Sequence, residues 1–359
     1  MIEVLRSALA FLVVLGVLVF VHEFGHYAAA RWRGVHVEVF SIGFGKAIAT
    51  WRDRVGTVWK LAWLPLGGYV KLHGQERAED VSDEVRASWI AGRTFHDKGV
   101  GSRAIVVAAG PIANFLLAIV LFVLLFATAG RPIIIPIATG VLPGSAAERA
   151  GLAVNDRILA IAGEPIKSFE DIQRIISAHP GDKLVVSVKR DGKTVEVPVT
   201  TDSREVGGRK VGMLGISGGQ MEFQQLSLPQ AIVGGVEQTW QVAADTVVGV
   251  SQMITGQRGT EDLGGPLRIA QLSGQVAELG LGSLVSVIAV LSVNLGLINL
   301  FPIPVLDGGH LLFYLAEAIR GRPIPPRAQE YGFRAGLALL AGLFILATWN
   351  DLAHLGVFH

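Results

Sequence analysis

Three side chains within five residues, His22, Glu23 and His26, are spaced to do chemistry together. In a helix, residues i and i+4 share a face, so both imidazoles can reach one metal ion. Glu23 lies about 100° around from His22, beside the metal face and offset from it. In this H-E-x-x-H arrangement two neutral imidazoles hold zinc, and the carboxylate takes a proton from the attacking water. Catalytic zinc wants three protein ligands and one open position. The candidate third ligand is Asp307, a carboxylate that follows 28 uncharged residues, Leu279 to Leu306. An ionisable group at membrane depth costs roughly 2.5–3.5 kcal/mol by insertion scales, which makes it a functional candidate by default.

The elements that must position these groups are membrane helices. Of the 359 residues, 51% are hydrophobic and 17% charged, and the mean hydropathy is +0.49. Those values place the chain among membrane proteins. A net charge of +1 offers no global field for nucleic acid. Without cysteine there are no disulfides, thiolate ligands or cysteine nucleophiles, so His, Asp and Glu must hold any metal. Four stretches approach the roughly 20 apolar residues that a bilayer requires. They run from Ser7 to about Ala30, Ala104 to Gly130, Leu279 to Leu306, and Ala335 to Asn350. A signal peptide at the first would discard the histidine motif on cleavage, and Glu3 weakens its basic start.

Loop charge predicts the orientation. Arg31 to Arg103 carries 12 Lys/Arg against 8 Asp/Glu, and Arg131 to Glu278 carries 14 against 16. The short third loop holds Arg320, Arg322, Arg327 and Arg334. The positive-inside rule then puts the first and third loops in the cytoplasm, with both chain ends and the long middle segment outside.

After Arg31-Trp32-Arg33 the chain reads as strand and turn. Val35 to Ile42 is a strand broken by Gly43-Phe44-Gly45, and Val58 to Leu64 and Tyr69 to Leu72 follow, with a hairpin tip at Arg52-Asp53-Arg54 and Gly56. Such a hairpin is either a small sheet resting on the membrane or an edge strand offering backbone hydrogen bonds to an extended substrate. Glu76 to Glu84 is expected to be a solvated loop. In the second span, Gly110 and Ala113 permit close helix approach, and Asn114 needs a partner at membrane depth. Asn114 either bonds across helices as packing glue or lines an active site.

Ile134 to about Thr201 reads as a soluble insertion. Ser168 is an N-cap for a helix to Ala178, and Arg190-Asp191-Gly192 joins strands Lys183 to Lys189 and Thr194 to Val199. This stretch resembles a PDZ domain of the kind found in bacterial proteases. It departs at Asn155, where glycine is usual, and at Ala162, where asparagine is usual. The carboxylate-cradling loop does not precede it, and Gly212 to Ile216 is placed to supply that loop from the C-terminal side, as in a circularly permuted domain. Leu226 to Thr255 reads as a helix with Ile232, Val236, Trp240, Ala243 and Val247 on one face, lying at the outer interface or packing.

The two motifs H-E-F-G-H at 22–26 and N-L-F-P-I-P-V-L-D-G-G from Asn299 together resemble the site-2 protease family of intramembrane zinc metalloproteases. Gly110-Pro111 with Asn114, the segment Leu64 to Lys71 and the PDZ-like insertion narrow the resemblance to its bacterial branch, typified by the regulator of sigma-E protease. Here there is room for one PDZ domain where the type member has two. The resemblance implies a polytopic α-helical membrane protein with four transmembrane helices, a membrane-associated β-hairpin and an inserted α+β PDZ domain. Its expected parts are helix 1 (1–31), hairpin and loop (32–102), helix 2 (103–130), PDZ domain (131–217), amphipathic region (218–278), helix 3 (279–310), loop (311–333) and helix 4 (334–353).

It further implies that His22, His26 and Asp307 bind Zn2+, with Glu23 as general base and acid. Asn299 and Asn114, with Leu64, Gly67, Gly68 and Tyr69 of the hairpin, are the expected substrate-binding residues. His310 is expected beside the site without ligating. The implied partners are a transmembrane protein substrate, the lipid bilayer and peptide C-termini at the PDZ domain, in a bacterial inner membrane with the active site toward the cytoplasm and the PDZ domain in the periplasm. Two other classes compete: a catalytically silent PDZ-bearing scaffold, which intact Glu23 disfavours, and a metal transporter, which the lack of an inverted repeat disfavours.

Overall fold

The computed structural model describes residues 2–75, 81–206, 209–259, 261 and 264–354. The chain divides into two compact units, one made of residues 1–126 with 227–359, the other of 127–226.

The first unit opens with helix α1 (Ile2–Trp32), with Glu3 in its first turn and Arg31 in its last, both complementing the helix dipole. It stops where Gly34 takes φ +71 and the Val35 N–H donates to the Ala30 carbonyl at 2.8 Å. Strands β1 (Val37–Arg52) and β2 (Val58–Leu72) follow. They meet at a turn in which Asp53 Oδ1 accepts from the N–H groups of Val55 and Thr57 at 3.0 and 2.9 Å. The break expected at Gly43-Phe44-Gly45 is instead a bend, with Gly43 at φ +86 and the strand continuing to Arg52. Because of the bend, residues 37–42 pair with 68–72 on one side and with 58–61 on the other, while 47–52 run back along 58–62. The ribbon becomes a four-segment sheet with Ser41 fully buried at its centre.

Of the acidic stretch Glu76 to Glu84, residues 76–80 lie outside the described residues, and Asp83 and Glu84 open a short helix, α2 (Asp83–Ala87), capped by Ser82. Helix α3 (Val100–Thr128) carries Pro111 within it.

The inserted unit contains β3 (Arg131–Val141), α4 (Ala146–Arg149), β4 (Arg157–Ile161), β5 (Glu164–Pro165), α5 (Phe169–Ser177), β6 (Lys183–Arg190), β7 (Lys193–Thr200), β8 (Asp202–Val206), β9 (Arg209–Met213) and β10 (Ile216–Gln224). Its sheet runs β10-β3-β4-β6-β7 with β5 beside β4, and β8-β9 form a separate ribbon. Ile158, Ile161, Ile172, Ile176, Val186 and Val188 form its buried core. The last strand pairs with the first, so the loop before β10 reaches α4, where the Ala147 N–H donates to the Leu214 carbonyl at 2.8 Å. The departures from the PDZ pattern acquire a physical meaning here. Asn155 and Ala162 sit at φ +69 and +51, in the left-handed region that glycine and asparagine adopt most readily.

The first unit then resumes with α6 (Leu228–Ile254), α7 (Pro266–Glu278), α8 (Leu281–Asn299), α9 (Asp307–Arg320) and α10 (Pro326–His354). Among the described residues, helices α1, α3, α8 and α10 are the four long and apolar enough to cross a membrane. Val14, Leu18 and Ile288 pack where α1 meets α8, with Leu117 and Leu121 of α3 against them. The fourth helix begins at Pro326 rather than near Ala335. Sequence pattern does not show α7. It lies along α1, with Gly274 against the Ser7 side chain and an ion pair between Arg6 and Glu278. Buried Asp351 of α10 caps it, accepting from the N–H groups of Gly265, Leu267 and Arg268 at 2.8, 3.0 and 3.2 Å. Helix α6 packs through its small face, Ala231, Gly234, Gly235 and Thr239, and turns Ile232, Val236, Trp240 and Val247 outward.

Candidate metal centre

One turn of α1 separates His22 from His26, and their Nε2 atoms are 3.3 Å apart. Asp307 Oδ2 lies 3.2 Å from the first and 3.4 Å from the second. Among the described residues these three form the cluster able to hold a metal ion. The spacing suits zinc. Ligands about 2.0–2.1 Å from a tetrahedral centre stand about 3.3 Å from one another. Asp307 Oδ2 is buried with no hydrogen-bond partner, so its charge is left for a cation to satisfy.

The outer ring atoms of both imidazoles face α3. His26 Nδ1 lies 2.9 Å from the Val106 carbonyl oxygen. A carbonyl only accepts, so Nδ1 carries the proton and Nε2 presents its lone pair to the cluster. His22 Nδ1 lies 3.2 Å from Asn114 Nδ2, while Asn114 Oδ1 is buried without a partner, so the amide is better satisfied with its oxygen and nitrogen exchanged. With the amide oxygen turned to it, His22 Nδ1 donates and its Nε2 is likewise free. Ser292 of α8 donates to the Asn114 carbonyl at 2.8 Å and pins that part of α3. Val106, Gly110 and Asn114 stand four residues apart and so share one stripe of α3, running antiparallel to His26 and His22.

The stripe needs glycine at its middle. A Cβ at Gly110 would lie 2.5 Å from His26 Cε1, 2.9 Å from Cδ2, and closer still to Nε2. Across the contact, a Cβ at Gly25 would lie 2.8 Å from both the Ala109 carbonyl carbon and Ala113 Cβ. These glycines set the distance between α1 and α3.

Asp307 arrives differently. Helix α8 stops at Asn299, and Pro302 and Pro304 keep the chain irregular to Leu306. Asp307 is then the first residue of α9, where the helix dipole favours a carboxylate. Val305 is held at φ +124, strain that costs a β-branched residue about 1–3 kcal/mol. Gly308 and Gly309 allow the first turn of α9 to sit against the carbonyls of Leu300, Phe301 and Ile303.

Glu23 stands beside the cluster and accepts no hydrogen bond among the described residues. Gly68 of β2 passes directly over it: a Cβ there would lie 2.8 Å from Glu23 Cγ and 2.7 Å from the Ser41 carbonyl oxygen. Gly67, at φ +141, packs on the Phe44 ring, and Tyr69 stacks on the same ring at 6.2 Å. Leu64 pairs with Phe44 and is exposed. Asn299 donates to the Leu295 carbonyl of its own helix at 3.0 Å. Asn114 is fully buried. His310 stays out of the cluster, bonded to the Leu306 carbonyl at 3.2 Å with its ring against Phe333. The Val106 carbonyl, Ser292 and Gly25 are positioning groups that sequence reasoning did not single out. The four-residue spacing of Val106, Gly110 and Asn114 was the available signal.

The profile of peptidase family M50 matches residues 10–343. R01501 of Rhizobium meliloti, whose name describes a zinc metalloprotease, is 44% identical over 355 residues, 95% of either chain. Metalloprotease MmpA of Caulobacter vibrioides is 38% identical over 392 residues, covering 100% of this chain and 98% of its own. The regulator of sigma-E protease RseP of Escherichia coli is 33% identical over 461 residues, covering 99% of this chain and 100% of its own. That alignment is longer than the present chain, so RseP carries sequence absent here.

Proposed function

The chain belongs to peptidase family M50, and we propose that it hydrolyses a peptide bond within the transmembrane segment of an already trimmed, single-span membrane protein. Convergence of His22, His26 and Asp307 among apolar spans carries this reading. Zinc held there would supply Lewis acidity, polarising a carbonyl and acidifying a water. Glu23, beside the cluster, takes the proton of the attacking water and returns it to the leaving amide nitrogen. The Val106 carbonyl and Asn114 keep both imidazoles in the ligating tautomer, so Asn114 acts on His22 rather than on substrate.

A helical peptide bond is shielded and already hydrogen-bonded, so a transmembrane substrate must unwind before attack. The strand carrying Gly68 and Tyr69 runs over Glu23 and offers backbone partners to an extended segment. Leu64 and Gly67 lie against Phe44 just before that strand, and Asn299, whose amide nitrogen is taken by the Leu295 carbonyl, keeps its Oδ1 as an acceptor for a substrate amide. We read the inserted sheet domain, which runs past residue 217 to the end of β10 at Gln224, as a single PDZ domain that filters substrates or binds their C-termini, with β10 as its edge strand. Loop charge puts the metal cluster toward the cytoplasm and the insertion in the periplasm.

The test is cleavage of a model single-span substrate by the reconstituted full-length protein. Chelator and Glu23→Gln should each abolish cleavage. Retained cleavage by Glu23→Gln would sink the mechanism, and binding without cleavage by any version would favour a scaffold.

A further inference from the structure

Just beyond α1 the chain builds a small polar cavity that the proposed chemistry does not use. It measures about 220 Å3 and is lined by Arg31, Gly34, Val35, His36 and Arg93. At about 30 Å3 per water it holds some seven water volumes, enough for a tetrahedral anion with part of what it is attached to. Its walls are fixed by backbone hydrogen bonds. The His36 N–H donates to the Arg93 carbonyl at 3.0 Å, the His73 N–H to the His36 carbonyl at 2.9 Å, and the Phe95 N–H to the His73 carbonyl at 2.7 Å. Val35 and Phe95 are buried behind it.

Among the described residues, the charges around this cavity do not balance. Neither Arg31 nor Arg93 forms an ion pair or side-chain hydrogen bond among the described residues. Lys98 adds a third positive group, with its Nζ on the Gly92 carbonyl at 2.8 Å and close to Gly34. The nearby carboxylate, Glu38, is already engaged by Lys71 Nζ at 2.8 Å and His73 Nδ1 at 2.7 Å. Asp97 is engaged by His96 and Thr94. Burial, then His73 and Arg31, push the His36 imidazole below its usual range, so at neutral pH it offers one N–H and no charge. Two guanidinium groups lining one cavity, with no acceptor among the described residues, favour a phosphate, whose oxygens match their paired N–H groups.

The surroundings select the source. Trp32 is 73% exposed next to Arg31, and the Arg33 guanidinium sits 5.3 Å over its ring. Aromatic and basic side chains at the end of an apolar helix mark the headgroup level of a bilayer. We propose that Arg31, His36 and Arg93 form a binding site for the phosphate of an anionic phospholipid at the end of the first span.

The experiment uses the full-length protein, stripped of lipid in a neutral detergent and followed by native mass spectrometry. It is titrated with phosphatidylglycerol, with phosphatidylcholine, and with phosphatidylglycerol in the presence of millimolar inorganic phosphate. Wild type should retain one phosphatidylglycerol at least tenfold more tightly than phosphatidylcholine, and Arg31→Gln/Arg93→Gln should lose that preference. Arg52→Gln/Arg54→Gln at the hairpin turn removes the same charge elsewhere and should keep it. Matching melting curves for both double variants exclude a folding defect. If inorganic phosphate displaces the lipid at low millimolar levels, the site stands but its ligand is soluble phosphate. Equal lipid preference in wild type and Arg31→Gln/Arg93→Gln overturns the site.

Discussion

Replacing Gly110 by alanine adds one methyl group at the point where α3 meets the metal cluster. That methyl would lie 2.5 Å from His26 Cε1 and 2.9 Å from Cδ2. Carbon atoms in contact prefer about 3.5–4.0 Å, so the ring must retreat by about 1 Å or α3 must move away by as much. Metal–ligand distances tolerate about 0.2 Å. Either movement therefore removes His26 as a donor, and α3 moving away also breaks the 2.9 Å hydrogen bond from His26 to Val106. A misplacement of about 1 Å costs reacting groups roughly 100-fold in rate. Gly110→Ala should thus lose bound zinc during dialysis that wild type survives, and its kcat/KM should fall by about 100-fold or more. Gly101→Ala is the control: it lies in the first turn of the same helix with nothing within 4 Å, so it should bind zinc normally and be no less stable than wild type. Zinc content comes from elemental mass spectrometry, and rate from a reconstituted single-span substrate. Wild-type zinc content and rate in Gly110→Ala would refute the tight α1–α3 approach.

Three further outcomes follow from the same geometry. Arg103 pairs with Glu317 at 2.7 Å, with side chains 17% and 13% exposed, so Arg103→Gln should destabilise the membrane unit by about 3–5 kcal/mol and lower its melting temperature, while Arg103→Glu/Glu317→Arg should recover part of the loss. Ala162→Gly should relieve a left-handed backbone and stabilise the inserted domain by about 0.5–1 kcal/mol, visible as slower hydrogen exchange in β4 and β6. Burial pushes the Asp156 carboxyl up, but Arg190 and the Ala153 N–H outweigh it and hold it below the usual range. Its contribution is therefore complete above the unfolded value near pH 4 and lost as pH falls through the lower folded value, a loss that exchange protection in β4 should show and Asp156→Asn should abolish.

Sequence alone made some of these elements legible and left others hidden, for physical reasons. His22, Glu23 and His26 could be read because a helix imposes its own period, and α1 has no charge from Ser7 to Val21 to contradict it. Asp307 stood out because a lone carboxylate after a long apolar run demands an explanation. The bend in β1 was misplaced as a break, since Gly43 and Gly45 look alike whether a strand stops or turns back on itself. Helices α7 and α9 escaped notice because long-range contacts help place them: Asp351 caps one across the fold, and Arg103 holds the other. The outward face of α6 was visible as an apolar stripe, but which stripe packs was decided by Gly235 fitting against Ile119 and Val123 of α3.

The two halves of the metal cluster are held by different means, and this bears on how the site keeps its shape. His22 and His26 ride on one helix, and a single stripe of α3 fixes both ring orientations. Asp307 hangs from a loop whose regular hydrogen bonding has been given up. There, rigidity comes from backbone packed on backbone, which is why glycine stands at 308, 309 and 336 against the main chain of residues 300–304. A side chain at any of these positions would push the loop outward and carry the carboxylate with it. The strained Val305 fits this account, since left-handed backbone next to the ligand persists only where the surroundings leave no alternative. A carboxylate oxygen buried without a hydrogen bond tolerates little freedom, because each departure from a cation held there would leave its charge uncompensated in an apolar setting. The glycines and the strain therefore belong to the ligand: they hold Asp307 within reach of the two imidazoles where no regular element could deliver it.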